Sequence, residues 1–256
     1  GRPVATAQKP QLRVHTLPRI MKVAVPAPQH SPMLGQLPLW QMVCSLCSPT
    51  MADTRSRPYW LFLATLAGAA LIAGLSFGIW GAGSDGLQHF TRYTARLAFL
   101  IFIVAFAAGA LAQLFPSEGT RWLRRTRRYI GLSFALAHFI HLGALTGFFI
   151  SIGETPDTVT IIGGGLAYVF VSLMALTSND WSVRKFGPVV WRRLHLIGSY
   201  YIWLIFMNSY LGRVFREAPP EPRIIFIATA ALGFAALGLR IAAWAKKRRK
   251  SAPVAA

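Results

Sequence analysis

The sequence predicts an all-α integral membrane protein built as a bundle of six transmembrane helices. Three observations predict it. The 256 residues are 54% hydrophobic and only 14% charged, whereas soluble domains carry about 25% charged residues. Lys and Arg outnumber Asp and Glu by 27 to 8, giving a net charge of +19, an imbalance that points to nucleic acid or to a membrane. Six separate apolar stretches follow Met51, each long enough to cross the roughly 30 Å hydrocarbon core with about 20 helical residues. The apolar excess argues against a soluble globule, and against disorder over most of the length. Two cysteines exclude a disulfide scaffold.

The composition changes abruptly near residue 51. Residues 1–50 hold eight of the 16 prolines and no Asp or Glu. They show neither a helical nor a strand period, so a disordered leader is expected. The chain begins with Gly1, and Met51 opens a different-looking sequence; a natural start at Met51, with the upstream residues foreign to the native protein, is an equally weighted expectation. The run Leu37–Cys47 lacks the basic lead-in and small-residue cleavage site of a signal peptide. Cys44 and Cys47 form an isolated C-x-x-C with no second pair, a weak signal for metal or redox chemistry.

Residues 51–250 form the expected six-helix domain, and residues 251–256 a short disordered tail. The spans fall near Trp60–Trp80, Ala95–Leu114, Tyr129–Ile152, Thr158–Thr177, Val189–Leu211 and Ile224–Trp244. Glycine is frequent inside them, as in Gly163-Gly164-Gly165; small residues let membrane helices pack closely. Nothing around that triplet supports a phosphate-binding loop.

Loop charges give the orientation. Arg55 and Arg57, the Arg121–Arg128 cluster, Arg184, Lys185, Arg192 and Arg193, and Lys246–Lys250 place sixteen basic residues on one side. Arg92, Arg213, Arg216 and Arg223 are the four on the other. Lys and Arg concentrate on the cytoplasmic side, so both ends of the bundle are expected in the cytoplasm. The Arg92 loop and the acidic loop Glu154–Asp157 then face outward. Apolar spans split the basic residues into separate clusters, which argues against a nucleic-acid surface. Lys246–Lys250 reads as an anchor on anionic membrane lipid.

Six histidines are present. His15 and His30 fall in the leader, and His89 in the first outward loop. His138 and His141 lie in the third span, and His195 in the fifth. Ionisable groups within a membrane are costly and usually face the bundle interior. Three histidines on two helices that enter from the same side suggest a cofactor, and packing or proton relay is the alternative. Heme suits the geometry: two helices, slightly separated, can present imidazoles to a porphyrin lying along the bundle. His138 and His141, three apart, share nearly one helix face. Arg127, Arg128, Arg192 and Arg193 at the helix mouths are candidates to pair with propionates or, equally, to set topology. Zinc fits less well, because no Cys, Asp or Glu lies near the midpoints to complete a tetrahedral set.

Depth argues against one iron held by His141 and His195. His141 lies 13 residues past Arg128, about 20 Å along a helix. His195 lies two residues past Arg193, about 3 Å. A fifth helix starting near Pro188 would bring His195 closer to the level of His138. On that helix the residue at the depth of His141 is Asn208, not a usual heme ligand.

Several motifs resemble those of the ferric-reductase-like transmembrane family. Within it the chain looks most like the heme-binding membrane subunit of bacterial periplasmic methionine-sulfoxide reductase systems. The residues are Arg127-Arg128-Tyr129-Ile130-Gly131-Leu132 followed by His141, Gln88-His89-Phe90-Thr91, Leu176-Thr177-Ser178, and Trp191-Arg192-Arg193-Leu194-His195 followed by Tyr200 and Tyr201. They recur in order over roughly residues 60–245. The resemblance implies a six-helix cytochrome with one or two heme b, in the bacterial inner membrane. It would pass electrons to a periplasmic molybdenum-containing reductase that repairs oxidised methionine. His141 and His195 match family heme histidines. The family has another histidine 13 residues after the latter, where this chain has Asn208; His138 is additional and a candidate substitute.

The cofactor-binding expectation is therefore His141, His195, His138, Arg128 and Arg193, with the three histidines as iron ligands. No dinucleotide-binding motif follows the sixth span. Electrons are expected from a cytoplasmic flavin reductase or from quinol, with FMN as a second candidate cofactor. The rival reading is a cofactor-free transporter subunit or assembly scaffold.

Overall fold

A computed structural model describes Gly1 and residues 58–217 and 221–251. The expected leader and its Cys44–Cys47 pair lie outside the described residues apart from Gly1, and the expected tail does so apart from Ser251. The described helices belong to one compact unit, Arg55–Ala256. They are α1 (Trp60–Trp80), α2 (Ser84–Leu114), α3 (Glu118–Ile152), α4 (Thr158–Leu176), α5 (Asp180–Val214) and α6 (Arg223–Ser251). No strand occurs among the described residues.

Five of the helices, α1 to α4 and α6, are long and apolar enough to cross a membrane. α5 has the length, but Arg184, Lys185, Arg192, Arg193 and Arg213 dilute its apolar character. Large apolar side chains cover the outer faces; Leu63, Leu71, Ile150, Val159, Ile162 and Ile241 are all more than half exposed. Helices this apolar on their outer faces suit a lipid surround.

Three helices start well before their apolar spans, for local reasons. α2 starts at Ser84 rather than near Ala95, so the expected Arg92 loop and His89 are helical. Thr91 and Thr94 there turn their hydroxyls onto the carbonyls of Leu87 and Phe90, both at 2.8 Å, which hides their polarity within the helix. α3 begins at Glu118, because Ser117 and Thr120 form a reciprocal capping box. The Arg121–Arg128 cluster is therefore helix and not loop. α5 runs from Asp180 but breaks at Gly187, whose φ of +79° suits glycine. Pro188 then opens the second limb, where its missing N–H costs nothing. α4 is capped by Asp157, which accepts from the Thr160 backbone N–H at 3.1 Å. The Thr160 hydroxyl bond, with the backbone N–H bonds, holds this carboxyl below its usual range.

Short connections make successive helices antiparallel. α2, α3, α4, α5 and α6 pack in sequence, and α6 closes against α2; α1 lies outside this ring against α2 and α3. The core fills the ring's middle with Phe99, Phe102 and Phe106 of α2, Phe134 of α3, Val171 of α4, Ile202, Phe206 and Met207 of α5, and Phe226 of α6. Small residues such as Ala98, Ala107 and Ala137 let the backbones approach. α3 and α5 face each other across this ring, with cavities above and below the aromatic layer.

Candidate functional site

Two cavities lie between α3 and α5. The first holds about 460 Å³ and is lined by His138, His141, Tyr168, Phe206, Asn208 and Arg213, among others. The second holds about 450 Å³ and is lined by Arg127, Arg128, Phe134, Trp191, His195 and Arg240, among others. Both volumes fall in the range of cofactor sites, roughly 300–1,000 Å³. We call them the histidine cavity and the arginine cavity.

His141 is the most constrained side chain of the first. Its Nδ1 lies 3.1 Å from the Thr91 carbonyl and 3.3 Å from the Thr94 hydroxyl oxygen. The Thr94 hydroxyl already donates to Phe90, so it can accept here. Both partners accept, which assigns the proton to Nδ1 and leaves Nε2 with its lone pair. A histidine held in this way is prepared as a metal ligand. His138 is buried, and its ring stacks on Tyr168 at 4.5 Å. Its Nδ1 is buried with no hydrogen-bond partner. The two imidazole centroids are 5.8 Å apart. Arg92, Arg96 and Arg213 border the same cavity, with no carboxylate in the lining; Arg96 is paired with Glu221.

In the second cavity the His195 Nε2 lies 3.2 Å from the Thr177 hydroxyl, which donates to Leu173. The His195 ring packs on Trp191 at 4.2 Å. Arg128 is tethered to the Ser178 carbonyl at 2.7 Å and to Asp180 at 3.0 Å. Arg240 lies over the rings of Phe106 and Tyr200, and donates to the Phe106 carbonyl and the Tyr200 hydroxyl. Arg124, Arg125 and Arg192 also line this cavity, where Asp180 is the one acidic residue.

The structure thus gathers the three expected histidines into two sites, His138 and His141 in one and His195 in the other. Arg128 lines the arginine cavity, and Arg193 does not. One residue is about 100° of helix, so Arg193 turns away from the face that Arg192 and His195 share. Sequence reasoning missed Arg240, Arg96 and Tyr168. Arg240 carried a signal, since a lone arginine within an apolar span is costly and marks function. His89 stacks on Trp80 at 3.8 Å and lines neither cavity. Among the described residues no three His, Cys, Asp or Glu side chains form a cluster suited to a bare metal ion. Pairs and singles of histidine beside roomy, arginine-bordered cavities suit an iron carried in a macrocycle with acidic side arms.

The chain is similar to two curated bacterial proteins. It is 28% identical over 202 residues to the protein-methionine-sulfoxide reductase heme-binding subunit MsrQ of Deinococcus radiodurans, spanning 72% of this chain and 93% of that protein. It is 28% identical over 195 residues to the protein of the same name from Azospira oryzae, spanning 71% of this chain and 76% of that one. No family model matches the chain, and no solved structure matches it. The apolar helices and these relatives together make it a multi-pass bacterial membrane protein.

Proposed function

We propose that this chain is a heme-bearing subunit that carries electrons across the bacterial inner membrane to a periplasmic methionine-sulfoxide reductase. The observation that carries the reading is His141, fixed by Thr91 and Thr94 with Nε2 free, in a cavity of cofactor size. The relatives named as heme-binding subunits support it. Heme b, when bound, supplies an iron that cycles between ferric and ferrous states, at a potential set by its ligands and burial.

The chain's own residues divide the work. In the histidine cavity His141 would ligate, and Arg92 and Arg213 would pair with propionates. In the arginine cavity His195 would offer its free Nδ1, or Nε2 once released from Thr177. Arg128, Arg192 and Arg240 there would hold carboxylates, or the phosphate of FMN if flavin delivers the electrons. Phe102, Phe134 and Phe206 exclude water between the two. A molybdenum-containing reductase outside and a flavin reductase or quinol inside are the partners this reading requires.

The reading includes six spans with both ends cytoplasmic. The α5 limb from Pro188 to Val214 is long enough, at about 40 Å. It is unusually polar because its charges lie at its ends and its polar residues line the cavities. A fluorescent protein fused at the C-terminus should glow, and alkaline phosphatase there should be inactive. The reverse pattern would overturn the orientation.

The deciding experiment is the reduced-minus-oxidised spectrum of protein purified from heme-replete cells, with a heme-to-protein ratio. Bands of b-type heme are expected. Their absence from folded protein would return the chain to the cofactor-free scaffold.

A further inference from the structure

The histidine cavity has an uneven set of donors. α3 supplies two imidazoles, while α5, the helix that faces them, supplies Phe206, Asn208, Ser209 and Tyr210. His138 and His141 are three residues apart on one helix face, so they approach the cavity from the same side. A macrocycle clamped between them would have to cut through α3. They cannot be the two opposite ligands of one iron. His141 is oriented for the task by Thr91 and Thr94, and His138 is stacked flat on Tyr168. His195 lies in the other cavity.

An iron held by His141 would therefore meet, on the α5 side, an amide, a hydroxyl and aromatic rings. Asn208 lines the cavity and is itself exposed. Two phenols line the cavity, a group able to ligate iron: Tyr168 of α4 donates its hydroxyl to the His138 carbonyl, and Tyr210 lies on α5. The Tyr210 ring is wedged against Phe99, at 5.0 Å, and its hydroxyl is buried and unpartnered.

We infer that the heme of the histidine cavity is held by His141 alone, and that its α5 face is an open binding position for a small neutral ligand beside Asn208. The chemical class is a diatomic π-acceptor, for which the Asn208 amide N–H is a ready hydrogen-bond donor. Distal polarity and steric access decide whether a heme binds such a ligand. This inference rests on the heme reading above.

The test uses the full chain carrying His195→Ala, so that only the histidine-cavity heme is read, in detergent and reduced with dithionite, with carbon monoxide as the probe and heme content measured in parallel. The reduced protein should give a carbonyl spectrum. Asn208→Ala should keep the adduct but shift the carbon monoxide stretching frequency. Asn208→His should supply the missing imidazole, turn this heme low-spin and abolish its carbonyl. Tyr210→Phe should leave the oxidised spectrum unchanged. If heme is present at normal content but wholly low-spin and indifferent to carbon monoxide, the inference fails and the heme reading stands. A carbonyl unaffected by Asn208→His, or an oxidised spectrum altered by Tyr210→Phe, would also overturn it. Protein that binds no heme would sink the earlier reading instead.

Discussion

The rings of Phe134 and His138 lie 5.2 Å apart, and this contact joins the linings of the two cavities. Phe134 lines the arginine cavity, and His138 lines the histidine cavity. They are four residues apart on one α3 face, where such side chains meet. Phe102 of α2 and Phe206 of α5 complete the partition, with ring centroids 5.2 Å and 6.4 Å from Phe134.

Removing that partition should disturb both sites together. Phe134 is only 4% exposed, so Phe134→Ala leaves a void the ring cannot easily refill. A loss of about 3–5 kcal/mol is typical for such a change. The thermal midpoint of the detergent-solubilised protein should fall, and both heme signals should broaden. A variant that changes the His195 site and leaves the His141 site untouched would show that the layer is not shared.

The Thr94 hydroxyl should matter for heme retention more than its size suggests. Thr94→Val keeps the shape and removes one of the two acceptors that orient His141. The Thr91 carbonyl remains, so the loss in affinity should sit near the low end of the roughly 10–100-fold seen when such supporting partners are removed. Titrating heme into apoprotein measures it. Equal affinities in the two proteins would mean that the Thr91 carbonyl alone orients the ring.

The break in α5 should be needed for the arginine cavity. Gly187 sits at φ +79° and ψ +154°, a region essentially reserved for glycine that costs other residues about 1–3 kcal/mol. Gly187→Ala should be relieved by rewinding the break, which rotates the limb bearing Trp191, Arg192 and His195. The expected result is a changed spectrum or lower occupancy for the His195 heme, with the His141 heme unaffected. Measuring each heme in a background lacking the other histidine separates the two effects.

The helices were legible in the sequence because a lipid-crossing segment must be apolar along its length. Trp60–Trp80 needed no correction. Their polar extensions were not legible. The Ser84–Thr94 turns read as loop because threonine conceals its hydroxyl only once the helix exists. The Arg121–Arg128 turns read as loop because five arginines interrupt the apolar pattern that marks a span. Arg193 and Arg192 look alike in a one-dimensional list, and only helix rotation separates them. The mismatch in depth between His141 and His195 could be read from residue counts alone, because 1.5 Å per residue holds wherever a helix does. That the mismatch resolves into two cavities required the aromatic layer, whose members come from α2, α3 and α5 and have no common sequence signature.

That division into two cavities makes a quantitative prediction about stoichiometry. If His141 and His195 shared one iron, either substitution to alanine would remove all of the heme. With separate sites, each single variant should lose one heme and keep the other, and the double variant should lose both. His138→Ala should retain the His141 heme, because the His138 ring is stacked on Tyr168 and is not held for ligation. Its removal should still shift that heme's spectrum, since the two imidazoles lie 5.8 Å apart. Heme-to-protein ratios across the four variants decide the matter. Complete loss in both single variants would place His141 and His195 on a single iron, and would require the Phe134 layer to part when heme binds.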